Sequence, residues 1–130
     1  MNYYKTYLQE LEEVLGSQAT FADELNEIGK KLFGHKWGGV FPKGAEDISF
    51  DKYCIINTHT ASQPGEHWLA LGQNILYDSF GRDLRSMIGG QLRVTEEDAE
   101  QSIEESNCGA RCLAWLLVLD NYGPAVALTI

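Results

Sequence analysis

The chain contains three cysteines, Cys54, Cys108 and Cys112, and a cysteine is its best candidate for a nucleophile. A cysteine attacks as the thiolate, which forms at neutral pH only where a helix N-terminus or a nearby imidazolium lowers the thiol pKa. Cys108 lies between Asn107 and Gly109, at the point where an apolar helix is predicted to begin. The positive end of that helix favours a thiolate, and the Cys108 N–H points to where an oxyanion would form.

The other two cysteines are predicted to be structural. Cys54 falls inside an apolar strand, and Cys112 lies one helical turn beyond Cys108, so both are interpreted as small core residues. A metal site built from the cysteines and a histidine is disfavoured, because no pair has the Cys-x-x-Cys spacing of zinc sites. We therefore expect neither a metal nor a cofactor.

A general base and its orienting acid are predicted at His67 and Asp78. His67 opens a predicted strand beside a loop, and Asp78 lies on the next strand of the same hairpin, where its carboxylate can fix the histidine tautomer. Gln101 is a candidate second donor to the oxyanion. Taken alone, a histidine near an acid is more often an ordinary surface pair, and a glutamine in an acidic stretch is compatible with a solvated side chain.

The elements that must position these residues follow from periodicity and from turn-forming residues. Two amphipathic N-terminal helices are predicted, followed by an irregular glycine-rich segment, a small sheet and one strongly apolar helix near the end. We therefore expect an α+β fold with a small central, mostly antiparallel or mixed sheet flanked by helices, in a single domain over residues 1–130. In chain order the predictions are helices at 2–15 and 21–33, an irregular segment at 38–44, strands at 53–57, 67–71 and 75–80 with a turn at 73–74, a short helix or turn at 81–88, a strand at 91–94 and a helix from 108 to about 121.

Charge and hydropathy exclude several classes of partner. The net charge of −9 disfavours binding to phosphate backbones. The longest apolar run, 112–119, is too short to cross a bilayer, so no membrane association is expected. The first residues lack the basic and apolar pattern of a secretion signal, and the odd cysteine count favours a reducing compartment.

The order of the chemical motifs resembles that of the adenovirus-type maturation cysteine proteases, in the clan that includes the ubiquitin-like-protein proteases. The resemblance is carried by four motifs in the same order, with Gln101 seven positions before Cys108. The sequence from Gln101 to Leu116 is most similar to proteases of virophages and polinton-like viruses. The four motifs are Gly65-Glu66-His67-Trp68, Tyr77-Asp78-Ser79-Phe80-Gly81, Gln101, and Asn107-Cys108-Gly109.

This resemblance implies an adenain-like fold and a cysteine endopeptidase with His67, Asp78, Gln101 and Cys108 as catalytic residues. It also implies that Trp68 narrows the cleft, so that glycine is favoured before the scissile bond. Asn107 and Gly109 would help to bind the substrate. The implied substrates are viral capsid precursors, and the implied location is the virion and the infected-cell cytoplasm.

Two features set the chain apart from the adenoviral enzyme, which is activated by DNA and by a peptide attached through a cysteine. The acidic charge and the lack of a spare exposed cysteine argue against both activators. Two alternative functions remain open: a protease that removes ubiquitin or a relative, and a non-catalytic binding module on the same fold. For Trp68, a simple core role also remains open.

Overall fold

The computed structural model describes residues 3–15, 22–58, 67–88, 92–95 and 108–130. Within them the chain forms an α+β fold, as the sequence predicted. The helices are α1 (Tyr3–Leu15), α2 (Ala22–Phe33), α3 (Cys108–Tyr122) and the short α4 (Pro124–Ala127), with single 3₁₀ turns at Gly34–Lys36 and Arg85–Met87. The strands are β1 (Trp37–Phe41), β2 (Tyr53–Asn57), β3 (Trp68–Gly72), β4 (Ile75–Tyr77) and β5 (Arg93–Val94).

The strands form a mixed sheet in the order β1-β2-β3-β4-β5. The two inner pairings, β2 with β3 and β3 with β4, are antiparallel, whereas β1 and β5 join the two edges in parallel. Gln73 and Asn74 connect β3 to β4 with φ of 49° and 61°, the left-handed conformation that a two-residue type I′ hairpin turn requires. The predicted mixed sheet and its central hairpin are thus confirmed.

Strand β1 corrects one prediction, because 38–44 was expected to be irregular. Glycines usually break strands, but here they allow β1 to approach β2 closely. A Cβ added to Gly38 would lie 2.6 Å from the Cys54 Sγ. Gly39, at φ +132°, coincides with a shift in the strand register, which is typical of a bulge.

Strand β4 ends earlier than predicted, at Tyr77, so Asp78 follows the strand instead of lying within it. The hairpin register pairs Ala70 with Tyr77 and Gly72 with Ile75. Asp78 is consequently free of the ladder, and its backbone can enter a turn. The predicted strand 75–80 was therefore too long, but the expectation that the hairpin sets Asp78 beside His67 is confirmed.

Helix α3 is the central element of the main core. It is apolar on nearly all sides, as is typical of a helix surrounded by protein. The Trp115 ring stacks on Tyr77 of β4, with centroids 5.3 Å apart and planes 2° from parallel. Helix α1 packs along α3 and β4, where the Tyr4 hydroxyl lies 2.7 Å from the Tyr77 hydroxyl and accepts a hydrogen bond from Arg111 Nη1 at 3.1 Å.

None of the helices in the described part of the chain is long and apolar enough to cross a membrane.

Gly29 offers a test of the packing between α2 and β1. A Cβ at this position would lie 2.3 Å from the Trp37 ring, whose Nε1 is held by Asn26 Oδ1 at 2.8 Å. Alanine gains about 1 kcal/mol of helix propensity over glycine, but overpacking costs about 1–3 kcal/mol. We expect Gly29→Ala to lower the free energy of unfolding in urea, while Lys30→Ala, at an exposed neighbouring position, changes it by less than about 0.5 kcal/mol. A stabilised Gly29→Ala variant would contradict this packing.

Candidate active site

His67 lies at the entrance to β3, where the backbone pairing with β2 still continues. The His67 carbonyl accepts a hydrogen bond from the Thr58 N–H at 2.9 Å, one step beyond the pairing of Asn57 with Trp68. This hydrogen bond ties the backbone of His67 to the sheet at the point where β3 begins. The residue is buried, with 5% of its surface exposed.

Asp78 is held by hydrogen bonds to both carboxylate oxygens. Oδ1 lies 2.6 Å from His67 Nε2 and accepts the Phe80 N–H at 3.0 Å. Oδ2 accepts the Arg82 backbone N–H at 3.3 Å and the Arg82 Nε–H at 2.7 Å. Because an ionised carboxylate can only accept, His67 Nε2 carries a proton and donates it to Asp78.

The thiol of Cys108 is the third group of the cluster. Cys108 is the first residue of α3, as predicted, and its side chain lies close enough to the His67 imidazole to help raise the histidine pKa. Since Nε2 is bound to Asp78, Nδ1 is the ring nitrogen that remains for the sulfur. The fold thus brings together the Asp78 carboxylate, the His67 imidazole and the Cys108 thiol, in that spatial order.

The pKa shifts of this cluster reflect a balance between burial and pairing. Burial alone would lower the pKa of His67, but its hydrogen bond to Asp78 and its proximity to Cys108 outweigh burial and raise the pKa above the usual 6.5. For Asp78, burial acts to raise the pKa, and the bonds from His67, Arg82 and the Phe80 N–H lower it overall. Pairing with Asp78 therefore favours the imidazolium form of His67 beside the carboxylate.

The two remaining cysteines are buried, as predicted. Cys54 is fully buried on β2 and lies 3.4 Å from the Ser49 carbonyl oxygen, and burial raises its pKa to about 11. Burial likewise raises the pKa of Cys112 far above its usual value. Neither thiol is placed to act as a nucleophile or as an exposed attachment point.

Trp68 and Gly109 shape the space around the beginning of α3. A Cβ added to Gly109 would lie 3.0 Å from Leu25 of α2 and 3.4 Å from the Trp68 indole. The indole is therefore next to the helix turn that carries Cys108, and it also packs against the main core. The core role and the cleft role of Trp68 are thus compatible.

Two predicted site residues, Gln101 and Asn107, lie outside the described residues. In the described part of the chain no group of three or more His, Cys, Asp or Glu side chains is arranged to hold a metal ion. Two residues of the cluster were not predicted, Phe80 and Arg82. Their signal in the sequence is only their distance of two and four positions from Asp78, which has meaning once Asp78 is known to open a turn.

The role of Asp78 in setting the His67 pKa can be measured directly. In Asp78→Asn the imidazole stays buried but loses its carboxylate, so we expect its pKa to fall relative to wild type. Asp83→Asn is the matched control, because Asp83 lies in the same segment but pairs with Arg85. NMR titration of the imidazole resonances gives both values, and an unchanged His67 pKa in Asp78→Asn would contradict the geometry.

Comparison with known proteins adds no independent guide to function. No protein-family model matches the chain, and no curated protein is significantly similar to it. A functional assignment must therefore be argued from the contacts among His67, Asp78 and Cys108, together with the order of motifs in the sequence.

Proposed function

We propose that this protein is a cysteine endopeptidase with Cys108 as its nucleophile. The observation that carries the proposal is that one buried imidazole, that of His67, is hydrogen-bonded to the Asp78 carboxylate and lies near enough to the Cys108 thiol for the thiol to help raise its pKa. A base held by an orienting acid within reach of a nucleophile is the arrangement that thiol and serine hydrolases require. Cys108 is the first residue of α3, so its backbone N–H is among those at the helix N-terminus that make no hydrogen bond within the helix.

The mechanism follows from these contacts. The Cys108 thiolate attacks the peptide carbonyl carbon, and the carbonyl oxygen becomes an oxyanion that accepts the Cys108 N–H and the Gln101 side-chain amide. His67 then donates its proton to the leaving amine, which leaves a thioester on Cys108. Water, deprotonated by His67, hydrolyses the thioester and restores the thiol, while Asp78 keeps the imidazole in one tautomer.

The proposed substrates are capsid precursor proteins of a virus, cut after glycine-containing sequences in the virion or the infected-cell cytoplasm. Support comes from the motif order shared with adenovirus-type maturation proteases and from the position of Trp68 beside Gly109. A bulky indole next to the nucleophile leaves little room for a side chain at the residue before the scissile bond. Burial of Cys54 and Cys112 supports a site without a cysteine-linked activator peptide.

The first test is cleavage of candidate capsid precursors, with the new termini identified by mass spectrometry. We expect Cys108→Ala to abolish cleavage and His67→Ala nearly to abolish it. Gln101→Ala should retain a measurable remainder, about 10²–10³-fold below wild type, because one oxyanion donor is lost. Full cleavage by Cys108→Ala would overturn the assignment, and faster hydrolysis of a ubiquitin-like substrate would favour the deconjugating protease instead.

A second test separates an enzyme from a non-catalytic module of the same shape. A peptide-based electrophile should label Cys108 but neither Cys54 nor Cys112, since those two thiols are fully buried with raised pKa values. Labelling should fall strongly in His67→Ala and persist in Cys112→Ala. Equal labelling of wild type and His67→Ala would show that the imidazole does not activate the thiol.

A further inference from the structure

Residues 78–82, called here the Asp78 turn, contact the His67 imidazole through the Phe80 ring as well as through the Asp78 carboxylate. The turn is closed by a 2.9 Å hydrogen bond from the Gly81 N–H to the Asp78 carbonyl, and Gly81 adopts φ +72°. A positive φ of this kind is readily adopted only by glycine. Within this turn the Phe80 N–H and the Arg82 side chain bind Asp78, whereas the Phe80 ring lies against His67.

Phe80 covers one face of the imidazole. Its ring centroid lies 4.4 Å from that of His67, and the two planes are 19° from parallel. The hydrogen bond at Nε2 holds one edge of the imidazole, but the last torsion of a histidine side chain is intrinsically broad. A stacked ring restricts that torsion, because the imidazole can turn only if Phe80 moves away.

Arg82 contacts both groups that restrain the His67 imidazole, the Asp78 carboxylate and the Phe80 ring. Its Nε donates to Asp78 Oδ2 at 2.7 Å, and its guanidinium carbon lies 5.1 Å from the Phe80 ring centroid. The side chain is half-exposed, whereas the Asp78 side chain is 1% exposed. Arg82 therefore neutralises a buried carboxylate from the surface and packs near the ring that stacks on His67.

We propose that Phe80 and Arg82 are positioning residues that lock the His67 imidazole in the orientation that faces the Cys108 sulfur. A benefit of this lock for catalysis rests on the proposed peptidase function. The restraint on the imidazole itself does not depend on that function. Among the described residues, the titratable groups that act on the imidazole are Asp78, from the turn, and Cys108, from α3. Arg82 acts on His67 through Asp78 and Phe80.

Phe80 is tested by Phe80→Leu and by the conservative variant Phe80→Tyr. Phe80→Leu removes the stacked ring at a partly buried position, and Phe50→Leu is the matched control at an exposed phenylalanine. We expect Phe80→Leu to lower kcat on a peptide substrate about tenfold or more, with KM within about twofold, because misplacing a catalytic group mainly affects the chemical step. Phe80→Tyr and Phe50→Leu should stay within about twofold of wild type.

An NMR readout tests the lock without any substrate. In wild type the ¹⁵N shifts of neutral His67 should report a single tautomer, with the proton on Nε2. Phe80→Leu should give a mixture of tautomers or exchange-broadened signals. It should also lower the His67 pKa, since the stacked ring favours the imidazolium.

Arg82→Gln tests the second residue, with Arg85→Gln as its matched control. Both arginines are half-exposed and pair with an aspartate, but only Arg82 binds Asp78. Arg82→Gln should lower kcat severalfold and broaden the His67 signals, and Arg85→Gln should do neither.

The positioning of His67 and the peptidase activity can be tested separately. If wild type cleaves no peptide but Phe80→Leu alters the His67 tautomer, the lock stands and the peptidase proposal fails. If Phe80→Leu and Arg82→Gln both keep the wild-type tautomer, linewidth and kcat, the lock is wrong even where the protein is a peptidase.

Discussion

Burial of the Asp78 carboxylate is the constraint around which the rest of the site is organised. A buried charge is strongly destabilising unless hydrogen-bonded partners surround it, and removing one partner of such a pair typically costs about 3–5 kcal/mol. Asp78 has four donors, two from the backbone of its own turn and two from side chains. His67 is one of these donors, so the requirement to satisfy the carboxylate also fixes the imidazole.

The same constraint explains why the sheet carries His67 and Asp78 whereas the helix carries Cys108. Strands β2, β3 and β4 form the rigid antiparallel centre, from which His67 and Asp78 emerge at adjacent strand ends. Helix α3 then delivers Cys108 from across the main core, with its apolar surface packed against β3 and α1. Each group is thus held by an element whose own stability comes from apolar burial and not from the site.

Much of this architecture could be predicted from the sequence because its signals are local. The apolar run 53–57, the Gln73-Asn74 turn and the beginning of the last helix at Cys108 all lie where the periodicity placed them. Strand β1 was missed, since its glycines serve a close strand approach that only the partner strand reveals. The roles of Phe80 and Arg82 were missed because they depend on a turn after β4. The peptidase function itself stays a prediction.

The hydrogen bond between Tyr4 and Arg111 has a consequence for when the site can assemble. It joins residues 107 positions apart in the chain, and Tyr4 also meets Tyr77, the neighbour of Asp78. Contacts of such long range are typical of slow folding, because the intervening chain must close before they form. A nascent polypeptide on the ribosome therefore lacks this brace until Arg111 has emerged, by which time Cys108 has emerged as well. The contact that braces this region therefore cannot form before Cys108 and Arg111 have both been synthesised.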